Sequence, residues 1–294
     1  MNNSSFPVIF GEVLFDCFPE GENILGGAPF NVAWHCQAFG LQPLLISRIG
    51  DDLLGEKVIT AMRDWGMKTD GLQIDSEHAT GRVNVSFYDN EPSYEIIEDS
   101  AWDFIDSRVL PELDKDSILY HGSLALRNPV SAQCLDVIKK TISSSVFVDI
   151  NLRTPWWNMS DIYNSIQNSQ WLKINADELN VILPEKECIN NKARYLLEHL
   201  ELELIVVTQG ASGAFAMTNK DDFYVHPENT VTIVDTVGAG DAFTSVLLLG
   251  LHKLWPFDTT IKRAQQFASR VVGLRGATTQ NKDFYKPFIE DWSL

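Results

Sequence analysis

Short apolar runs alternate with segments of helical pattern along most of the chain. The helical pattern is clearest at 29–39, with Pro29 in its first turn and Gly40 after its end, and at 51–66, which begins with two acids and ends at Gly66. Apolar runs that predict strands lie at 8–16, 43–49, 118–126, 146–150, 171–175 and 204–210. Near-continuous apolar strands between helices are typical of a parallel sheet covered on both faces, so the pattern predicts a doubly wound α/β fold with a mostly parallel sheet.

One region departs from this rhythm. The segments GRVNVSFYD (81–89) and SYEII (93–97) alternate apolar and polar residues around a turn at Asn90–Pro92, which predicts a hairpin. The expectation is one domain over 1–294 with a small β lid built from segments near 14–20 and 81–98. The alternative is that the hairpin extends the edge of the main sheet. Because an exposed apolar hairpin face needs a cover, the pairing of two lids in a homodimer is also expected.

Composition and charge narrow the functions that the chain can have. It has 294 residues, of which 45% are hydrophobic, with a net charge of −17 and a pI near 4.6. Nucleic acids and anionic membranes are held by basic surfaces, so this charge argues against both as partners. No apolar run approaches the ~20 residues that span a bilayer, and the N-terminus lacks the pattern of a signal peptide.

Cysteine and histidine usage fits the same picture. The four cysteines are far apart without a CxxC spacing, and the six histidines form no cluster along the sequence. This usage indicates free thiols in a reducing compartment rather than disulfides or a zinc site. A cytoplasmic protein is therefore expected.

Polar residues and glycines follow the predicted strands at the points where those strands end. Open α/β sheets bind ligands beyond the carboxyl ends of their strands, so these residues should line one cleft. They are Asp16 after the first strand, Gly26 and Gly27 before the first helix, Asn151 and Arg153 after VFVDI, Asn175 and Glu178 around the end of WLKIN, Thr208 and Gly210 after LIVV, and Gly238–Asp241 after TVTIVDT (230–236), which is also expected to be a strand.

The stretch DTVGAGDAF (235–243) indicates a chemical role most clearly, because it leads into a segment with the apolar density of a buried helix. The first backbone N–H groups of a helix lack partners and, together with the helix dipole, attract an anion that small residues allow to come close. A carboxylate beside these amides, here Asp241, could accept the proton of a hydroxyl as that oxygen attacks a phosphate. The alternative is a tight turn in which Asp241 stabilises the first helical turn.

Two motifs make the sequence similar to the PfkB, or ribokinase-like, family of sugar and nucleoside kinases. The first is GGAPFNVAWHCQAFG (26–40) with ISRIGDDLLG (46–55), and the second is DTVGAGDAF. They stand in the family's order, about 200 residues apart, and the resemblance extends from about residue 8 to about residue 280. It implies an enzyme that transfers the γ-phosphoryl group of ATP to a sugar hydroxyl.

The resemblance implies roles for the residues of the expected cleft. Gly238, Ala239 and Gly240 would form the anion hole for the transferred phosphoryl group, and Asp241 would be the base. Arg153, in the element DINLR, would lie close to the phosphate or to a sugar carboxylate. The residues implied for sugar binding are Asp16, Gly26, Gly27, Asn31 and Asn151.

The resemblance also implies sites for the nucleotide and for two cations. Mg²⁺ would be held through water by Glu178 of NADE (175–178), although an Asn followed three residues later by Glu also forms a capping box. A monovalent cation, usually potassium, would bind Asp235 and the backbone of Val237 and Ala277, unless Asp235 only caps the loop. The residues implied for the nucleotide are Asn175, Thr208, Gly210 and Gly213.

The chain also departs from the family pattern on the expected catalytic helix, where Ser245 and Val246 stand in place of the usual Ala-Gly. The stretches GEVLFD, GGAPFNVA and DINLRTPWW are most similar to those of fructokinases, so fructose is the expected substrate. A 2-keto-3-deoxygluconate kinase is the close alternative, and a ribokinase or nucleoside kinase is a more distant one. A non-catalytic sugar-binding relative would belong to another class, and a dinucleotide-dependent oxidoreductase lacks its glycine fingerprint here.

Overall fold

Strands and helices follow one another along the chain largely as the sequence pattern predicts. The computed structural model describes residues 6–88, 91–143, 145–184, 188–227 and 232–294. Its strands are β1 (Val8–Phe10), β2 (Leu14–Cys17), β3 (Asn23–Gly26), β4 (Leu44–Gly50), β5 (Leu72–Asp75), β6 (Gly81–Tyr88), β7 (Glu91–Ile96), β8 (Leu119–His121), β9 (Val146–Asp149), β10 (Trp171–Asn175), β11 (Leu204–Thr208), β12 (Ala214–Met217) and β13 (Asp222–Val225). Its α-helices are α1 (Ala28–Ala38), α2 (Leu53–Asp64), α3 (Pro129–Thr141), α4 (Met159–Ile166), α5 (Ala176–Ile182), α6 (Ile189–His199), α7 (Ala239–His252), α8 (Phe257–Val271) and α9 (Lys282–Trp292).

The main sheet is mostly parallel. In the described part of the chain it has nine strands in the order β13-β12-β11-β10-β9-β8-β1-β4-β5. The strands from β11 to β5 all run parallel, whereas β12 and β13 are antiparallel at one edge. Every residue of β1 and β9 is buried, as expected for strands that are covered on both faces.

Each face of the main sheet is covered by its own set of helices. Successive residues of β1 demonstrate this, because side chains alternate between the two faces of a strand. Ile9 packs in one hydrophobic core with buried residues of α1, α2, α7, α8 and α9, whereas Val8 and Phe10 pack in a second core with α3, α4, α5 and α6. The predicted doubly wound α/β fold is confirmed.

The first predicted strand, 8–16, is two strands that belong to different sheets. Strand β1 lies in the main sheet and β2 in a second one, and the chain passes between them over three residues. Gly11 begins this passage with a φ of 147°, a conformation that other residues rarely adopt. The prediction of a single strand over 8–16 was therefore wrong, because the apolar run contains the passage from one sheet to the other, which begins at Gly11.

The second sheet contains the predicted hairpin. Among the described residues it has four strands in the order β3-β2-β6-β7, separate from the main sheet, so the hairpin does not extend the main sheet's edge. Strands β6 and β7 are antiparallel, as predicted. The predicted turn at Asn90–Pro92 was wrong in part, because Glu91 and Pro92 pair with β6 as residues of β7, and Asn90 lies outside the described residues. Val83 and Val85 of β6 are buried, whereas Arg82 and Ser86 are exposed. The role of this sheet as a lid, and the homodimer, stay predictions.

Helix α7 is the buried helix that the apolar run predicts. All ten residues from Ala242 to Leu251 are buried. Ser245 and Val246, which replace the family's usual Ala-Gly, are fully enclosed, and the Ser245 hydroxyl donates a hydrogen bond to the Ala242 carbonyl at 2.7 Å. The departure from the family pattern is therefore accommodated within the helix packing.

The strand expected at 230–236 is absent from the part of it that the structure describes, 232–236. The backbone N–H groups of Val234 and Asp235 both donate to the carbonyl of Val272, instead of to a neighbouring strand. Ile233 and Val234 are largely exposed, which no buried strand would allow. The apolar run 118–126 is likewise a strand only over β8, and it continues as a 3₁₀ turn at Leu124–Arg127.

The structure also shows the state of the cysteines and whether a described helix could cross a membrane. The four cysteines are free, with Cys36 and Cys134 buried and Cys188 exposed. Among the described helices, none is both long enough and apolar enough to cross a membrane.

The packing of α7 predicts a large cost for truncating one of its side chains. Leu248→Ala should lower the free energy of unfolding by about 2–5 kcal/mol, because Leu248 is fully buried and its removal leaves a cavity. The control is Leu53→Ala on the outer side of α2, where the side chain is 76% exposed and the cost should stay within about 0.5 kcal/mol. Urea denaturation measures both variants, and similar losses in the two would contradict the assigned packing.

Candidate active site

Asp241 lies in the first turn of α7 and contacts the beginning of α1. Its Oδ2 accepts a hydrogen bond from Asn31 Nδ2 at 2.8 Å. Burial raises the pKa of Asp241 to about 6, and the negative charge of Asp149 acts in the same direction. The Asn31 hydrogen bond and the positive charges of Lys173 and Arg153 lower this pKa. The result is a carboxyl group that is ionised at neutral pH yet ready to accept a proton.

The backbone before Asp241 is shaped to receive an anion. Gly238 caps α7 with a φ of 80°, and a side chain there would overlap Ala277. Gly240 follows in the first helical turn, where N–H groups have no acceptor from the helix itself. A Cβ added at Gly240 would meet only Lys173 Nζ at 3.8 Å, so the space beside this glycine stays open. Ala239, between them, is partly buried.

Glu12 stands next to this site and was not among the predicted site residues. It is buried, and its Oε2 has no hydrogen-bond partner among the described residues. The pKa of Glu12 is raised to about 7, mainly by burial and also by the charge of Asp241, while a backbone hydrogen bond and the charges of Arg153 and Arg127 act in the opposite direction. A sequence signal existed, since an acid directly after the apolar strand β1 stands where the sheet places ligand-binding residues.

A buried ion pair lies beneath the same helix end. Lys173 Nζ donates to both carboxylate oxygens of Asp149, at 2.8 and 2.9 Å. The Thr244 hydroxyl lies 2.7 Å from Asp149 Oδ2, which joins the pair to the second turn of α7. None of the three was predicted as a site residue. The sequence signal that could have revealed the ion pair was a lysine and an aspartate in two otherwise apolar strands.

Asn31 and Gly26, two of the residues expected to bind the sugar, lie side by side next to Asp241. Asn31 is buried, and while its Nδ2 contacts Asp241, its Oδ1 has no partner among the described residues. Gly26 lies beside the Asn31 amide, and Gly27 packs against the backbone carbonyl of Glu12. Asp16 is partly buried; this burial and the nearby charge of Asp235 raise its pKa.

The loop after β9 holds two more predicted residues. The Asn151 backbone is fixed by Ser123, whose hydroxyl donates to the Asn151 carbonyl and accepts from the Asn151 N–H, both at 2.9 Å. Arg153 is exposed; its guanidinium donates to the Leu152 carbonyl, and its own carbonyl accepts from the Trp156 N–H. Arg153 nevertheless lies close enough to Asp241 and Glu12 to lower both of their pKa values.

Asn175 and Glu178 form the capping box that the spacing allowed as an alternative. The Asn175 side chain accepts from the Glu178 N–H at 2.8 Å, and Glu178 Oε2 accepts from the Asn175 N–H at 3.0 Å. Glu178 Oε1 also accepts from the Leu152 N–H at 2.8 Å, which fixes the loop after β9. Burial raises the pKa of Glu178.

The turn expected to bind the nucleotide follows β11. Thr208 lies opposite Asn175 in the parallel register of β10 and β11, so the two predicted nucleotide elements are neighbours. A short 3₁₀ turn runs from Gly210 to Ser212, and Gly213, with a φ of 93°, approaches the carbonyl of Val225. The turn is thus two strands away from β9.

Asp235 bridges two loops beside the start of α7. Its Oδ1 accepts from the Val237 N–H at 2.9 Å, and its Oδ2 accepts from the Gly276 N–H at 3.1 Å. The Ala277 carbonyl is hydrogen-bonded to His35 Nε2 at 3.0 Å, which ties this loop to α1. The structure therefore brings Asp235, Val237 and Ala277 together in one region.

Comparison with known proteins identifies the family to which this site belongs. Residues 16–283 match the model of the pfkB family of carbohydrate kinases. The chain belongs to this family. The match includes most of the second sheet and the helix that carries Asp241. The resemblance to the family that the two motifs indicate is therefore confirmed over nearly the whole chain.

Relatives of this pfkB-family kinase differ in the substrate that their names give. An uncharacterised sugar kinase of Pyrococcus horikoshii is 30% identical, with 93% of this chain and 92% of that protein covered. A fructokinase of Vibrio alginolyticus is 27% identical, with 92% of each chain covered. An aminoimidazole riboside kinase of Salmonella typhimurium is also 27% identical, covering 92% of this chain and 90% of its own.

A solved structure agrees with the fold. The crystal structure of a fructokinase from Xylella fastidiosa with bound ATP superposes with a TM-score of 0.87 at 20% identity, covering 98% of this chain and 99% of its own. At this identity the likeness establishes the fold of the pfkB-family kinase and not its substrate.

The raised pKa of Asp241 predicts a pH-dependent cost in stability. Its folded-state pKa of about 6 lies above the ordinary 3.8, so the folded protein holds this proton more tightly than the unfolded chain does. Stability is therefore lost as pH rises through this window, and Asp241→Asn should be more stable than the wild type by about 1–2 kcal/mol at about pH 8. The difference should vanish near pH 4, which chemical denaturation at the two values measures.

Asp283→Asn, on the exposed first turn of α9, is the matched control. It should show no such pH-dependent gain. Equal stabilities of wild type and Asp241→Asn at both pH values would show that Asp241 is not a destabilising carboxyl.

Proposed function

We propose that the chain is an ATP-dependent sugar kinase in which Asp241 removes the proton of the attacking hydroxyl. The observation that supports this most directly is the position of Asp241 at the open N-terminus of α7, with a pKa raised by burial to about 6. A carboxylate with this pKa is mostly ionised at neutral pH, and a base works best when its pKa lies near the working pH.

The backbone of Gly238, Ala239 and Gly240 is proposed to stabilise the negative charge on the transferred group. The helix dipole and the N–H groups of the first turn, of which that of Ala239 also has the Thr236 carbonyl at 3.4 Å, are fixed in place before reaction, so no reorganisation is needed as charge develops. Gly240 leaves room for a phosphate to approach this backbone closely. Asp241 lies next to Gly240, so that the accepted proton and the transferred group meet at one helix end.

The sugar is proposed to lie against Asp16, Gly26, Gly27, Asn31 and Asn151. Two buried oxygens near this space, Asn31 Oδ1 and Glu12 Oε2, have no partner among the described residues, and a buried polar atom without a partner is costly. Hydroxyl groups of a sugar would satisfy both. At neutral pH Glu12 is partly protonated, with a pKa of about 7, so it could donate as well as accept.

Asn175, Thr208, Gly210 and Gly213 are proposed to bind the nucleotide. Mg²⁺, when bound, would neutralise phosphate charge, and Glu178 would hold it through water. Each Glu178 oxygen accepts one backbone hydrogen bond and keeps a further lone pair, which fits this role. No cluster of three or more metal-binding side chains occurs among the described residues, so phosphate oxygens and water would supply most of the coordination.

Asp235, Val237 and Ala277 are proposed to hold a monovalent cation, potassium in the first instance. The carboxylate of Asp235 and the carbonyl of Ala277 each accept hydrogen bonds that fix their positions, and oxygen atoms retain lone pairs for a cation. Such a cation would lie beside Gly238, whose backbone packs on Ala277, and would add positive charge near the anion hole.

Fructose is the proposed substrate, because GEVLFD, GGAPFNVA and DINLRTPWW are most similar to fructokinases. A specific observation favours 2-keto-3-deoxygluconate as the second candidate. Arg153 is exposed next to the site and its guanidinium binds only a neighbouring carbonyl among the described residues, so it could pair with a substrate carboxylate. Because one of the relatives is an aminoimidazole riboside kinase, ribosides are also candidate acceptors to be tested.

Release of ADP over a panel of acceptors tests the substrate. Fructose should give a kcat/KM at least ~10-fold above ribose, aminoimidazole riboside and 2-keto-3-deoxygluconate, a difference of about 1.4 kcal/mol in transition-state binding. A maximum for 2-keto-3-deoxygluconate would instead assign Arg153 to its carboxylate. Folded protein that releases no ADP with any acceptor would point to a non-catalytic relative.

Replacement of the base tests the mechanism. Asp241→Asn keeps the shape of the side chain but accepts no proton, so kcat should fall by about 10²- to 10⁴-fold. The sugar KM should change much less, because the lost interaction matters mainly in the transition state. Steady-state kinetics measure both, with Asp283→Asn as a control of wild-type rate. Retention of more than about a tenth of wild-type kcat would show that Asp241 is not the base and leave it as an acid that stabilises the first turn of α7.

A further inference from the structure

The ion pair between Lys173 and Asp149 is buried in the sheet and directly beneath the proposed catalytic helix. The two residues lie opposite one another in the parallel register of β10 and β9. Their side chains are only 8% and 7% exposed, and both carboxylate oxygens accept from Lys173 Nζ. A buried charge without its partner is strongly destabilising, so each requires the other.

Contacts lead from this pair to the first turns of α7. Thr244 Oγ1 lies 2.7 Å from Asp149 Oδ2 and 2.9 Å from the carbonyl of Gly240. From the other partner, Lys173 Nζ lies 3.8 Å from the place where a Gly240 side chain would begin. The Asp149 carboxylate and the Thr244 hydroxyl thus form a bonded link to the turn that presents Gly240 and Asp241, and the Lys173 ammonium lies beside that turn.

We propose that Lys173 and Asp149 form a charge-balanced positioning pair. The pair holds the N-terminus of α7 in place, and the effects of its two opposite charges on Asp241 nearly cancel. This inference rests on the proposed role of Asp241 as the base. Neither Lys173 nor Asp149 touches the reacting atoms in this proposal; both act through α7 and through their charge.

Asp241 lies among charged groups from several elements, and the pair supplies two of them. Asp149 on β9 raises the pKa of Asp241, whereas Lys173 on β10 and Arg153 from the following loop lower it. Glu12, after β1, and Tyr120, on β8, also interact electrostatically with Asp241. Loss of one member of the pair therefore leaves a single uncompensated charge, and the sign of that charge fixes the direction in which Asp241 responds.

A cycle of three variants separates this role from a purely structural one. In Lys173→Met the unpaired Asp149 should move the acid limb of the kcat/KM profile to higher pH, by about one unit. In Asp149→Asn the unpaired Lys173 should move it to lower pH. The double variant removes both charges and should return the limb to within about 0.3 units of the wild type, since charge balance is restored.

The matched control is Lys192→Met, which removes another buried ammonium, bound to Asn180 Oδ1 at 2.6 Å in a different part of the fold. It should lower stability without moving the acid limb. Shifts of the same sign in Lys173→Met and Asp149→Asn, or no shift in either, would overturn the proposal. Persistence of the wild-type acid limb in Asp241→Asn would instead contradict the proposed base, whatever the other variants do.

Thr244 offers a test that changes no charge, in case a single-charge variant does not fold. Thr244→Val removes the hydroxyl that joins Asp149 to the helix, so kcat should fall about 3- to 10-fold while the sugar KM and the acid limb stay unchanged. Thr244→Ser keeps the hydroxyl and should restore most of the rate. A Thr244→Val variant with wild-type kcat would show that the pair does not position α7.

Discussion

The burial of α7 fixes the position of the proposed active site. A helix whose residues from Ala242 to Leu251 are all enclosed can be placed in the molecule in only one way, because every side chain is in contact with the core. Its N-terminus is consequently fixed against the carboxyl ends of β1, β9 and β10. The residues that follow these strands, and the beginning of α1, converge on the first turn of this one helix.

Charge is the second determinant of the site, and acids predominate there. Glu12 and Asp241 have pKa values raised by burial to about 7 and about 6, and Asp16 is raised in the same way. Lys173 and Arg153 are the cations that reach Asp241. An acidic cleft of this kind is unfavourable for a phosphate by itself, so the proposed binding of ATP would rely on backbone dipoles and on cations bound with the nucleotide.

Most of the fold could be predicted from the sequence because the central strands of the main sheet are mostly apolar and several helices carry clear end signals. The change of sheet at Gly11 could not, since the residues on both sides are apolar and only the backbone turns. The exposed segment 232–236 has strand-like composition, but its N–H groups bond to Val272, a partner 36 or more positions away that no local pattern reveals. Tertiary contacts overrule local preference in both cases.

The candidate site, like the fold, could be predicted from the sequence only in part. The spacing of GAGD placed the helix start, and the contact of Asn31 with Asp241, 210 residues apart, agrees with grouping the two motifs. The pairing of Lys173 with Asp149 depends on strand register, which the sequence does not state. The NADE spacing allowed a capping box, and the structure contains it, while the third bond of Glu178, to Leu152, arises only when β9 and β10 are adjacent.

The passage of the chain between the two sheets has a mechanical consequence. The chain connects the second sheet to the rest of the fold at four places, through 76–80 before β6, through 97–100 after β7, through Gly11–Val13 after β1, and through the single residue Gly27 between β3 and α1. The last two of these connections touch, because Gly27 packs on the carbonyl of Glu12. They lie within one bond network of the candidate site, since Asn31 in the first turn of α1 donates to Asp241. A rotation of the second sheet against the main sheet would therefore change torsions on both sides of Glu12 and just before the helix that carries Asn31.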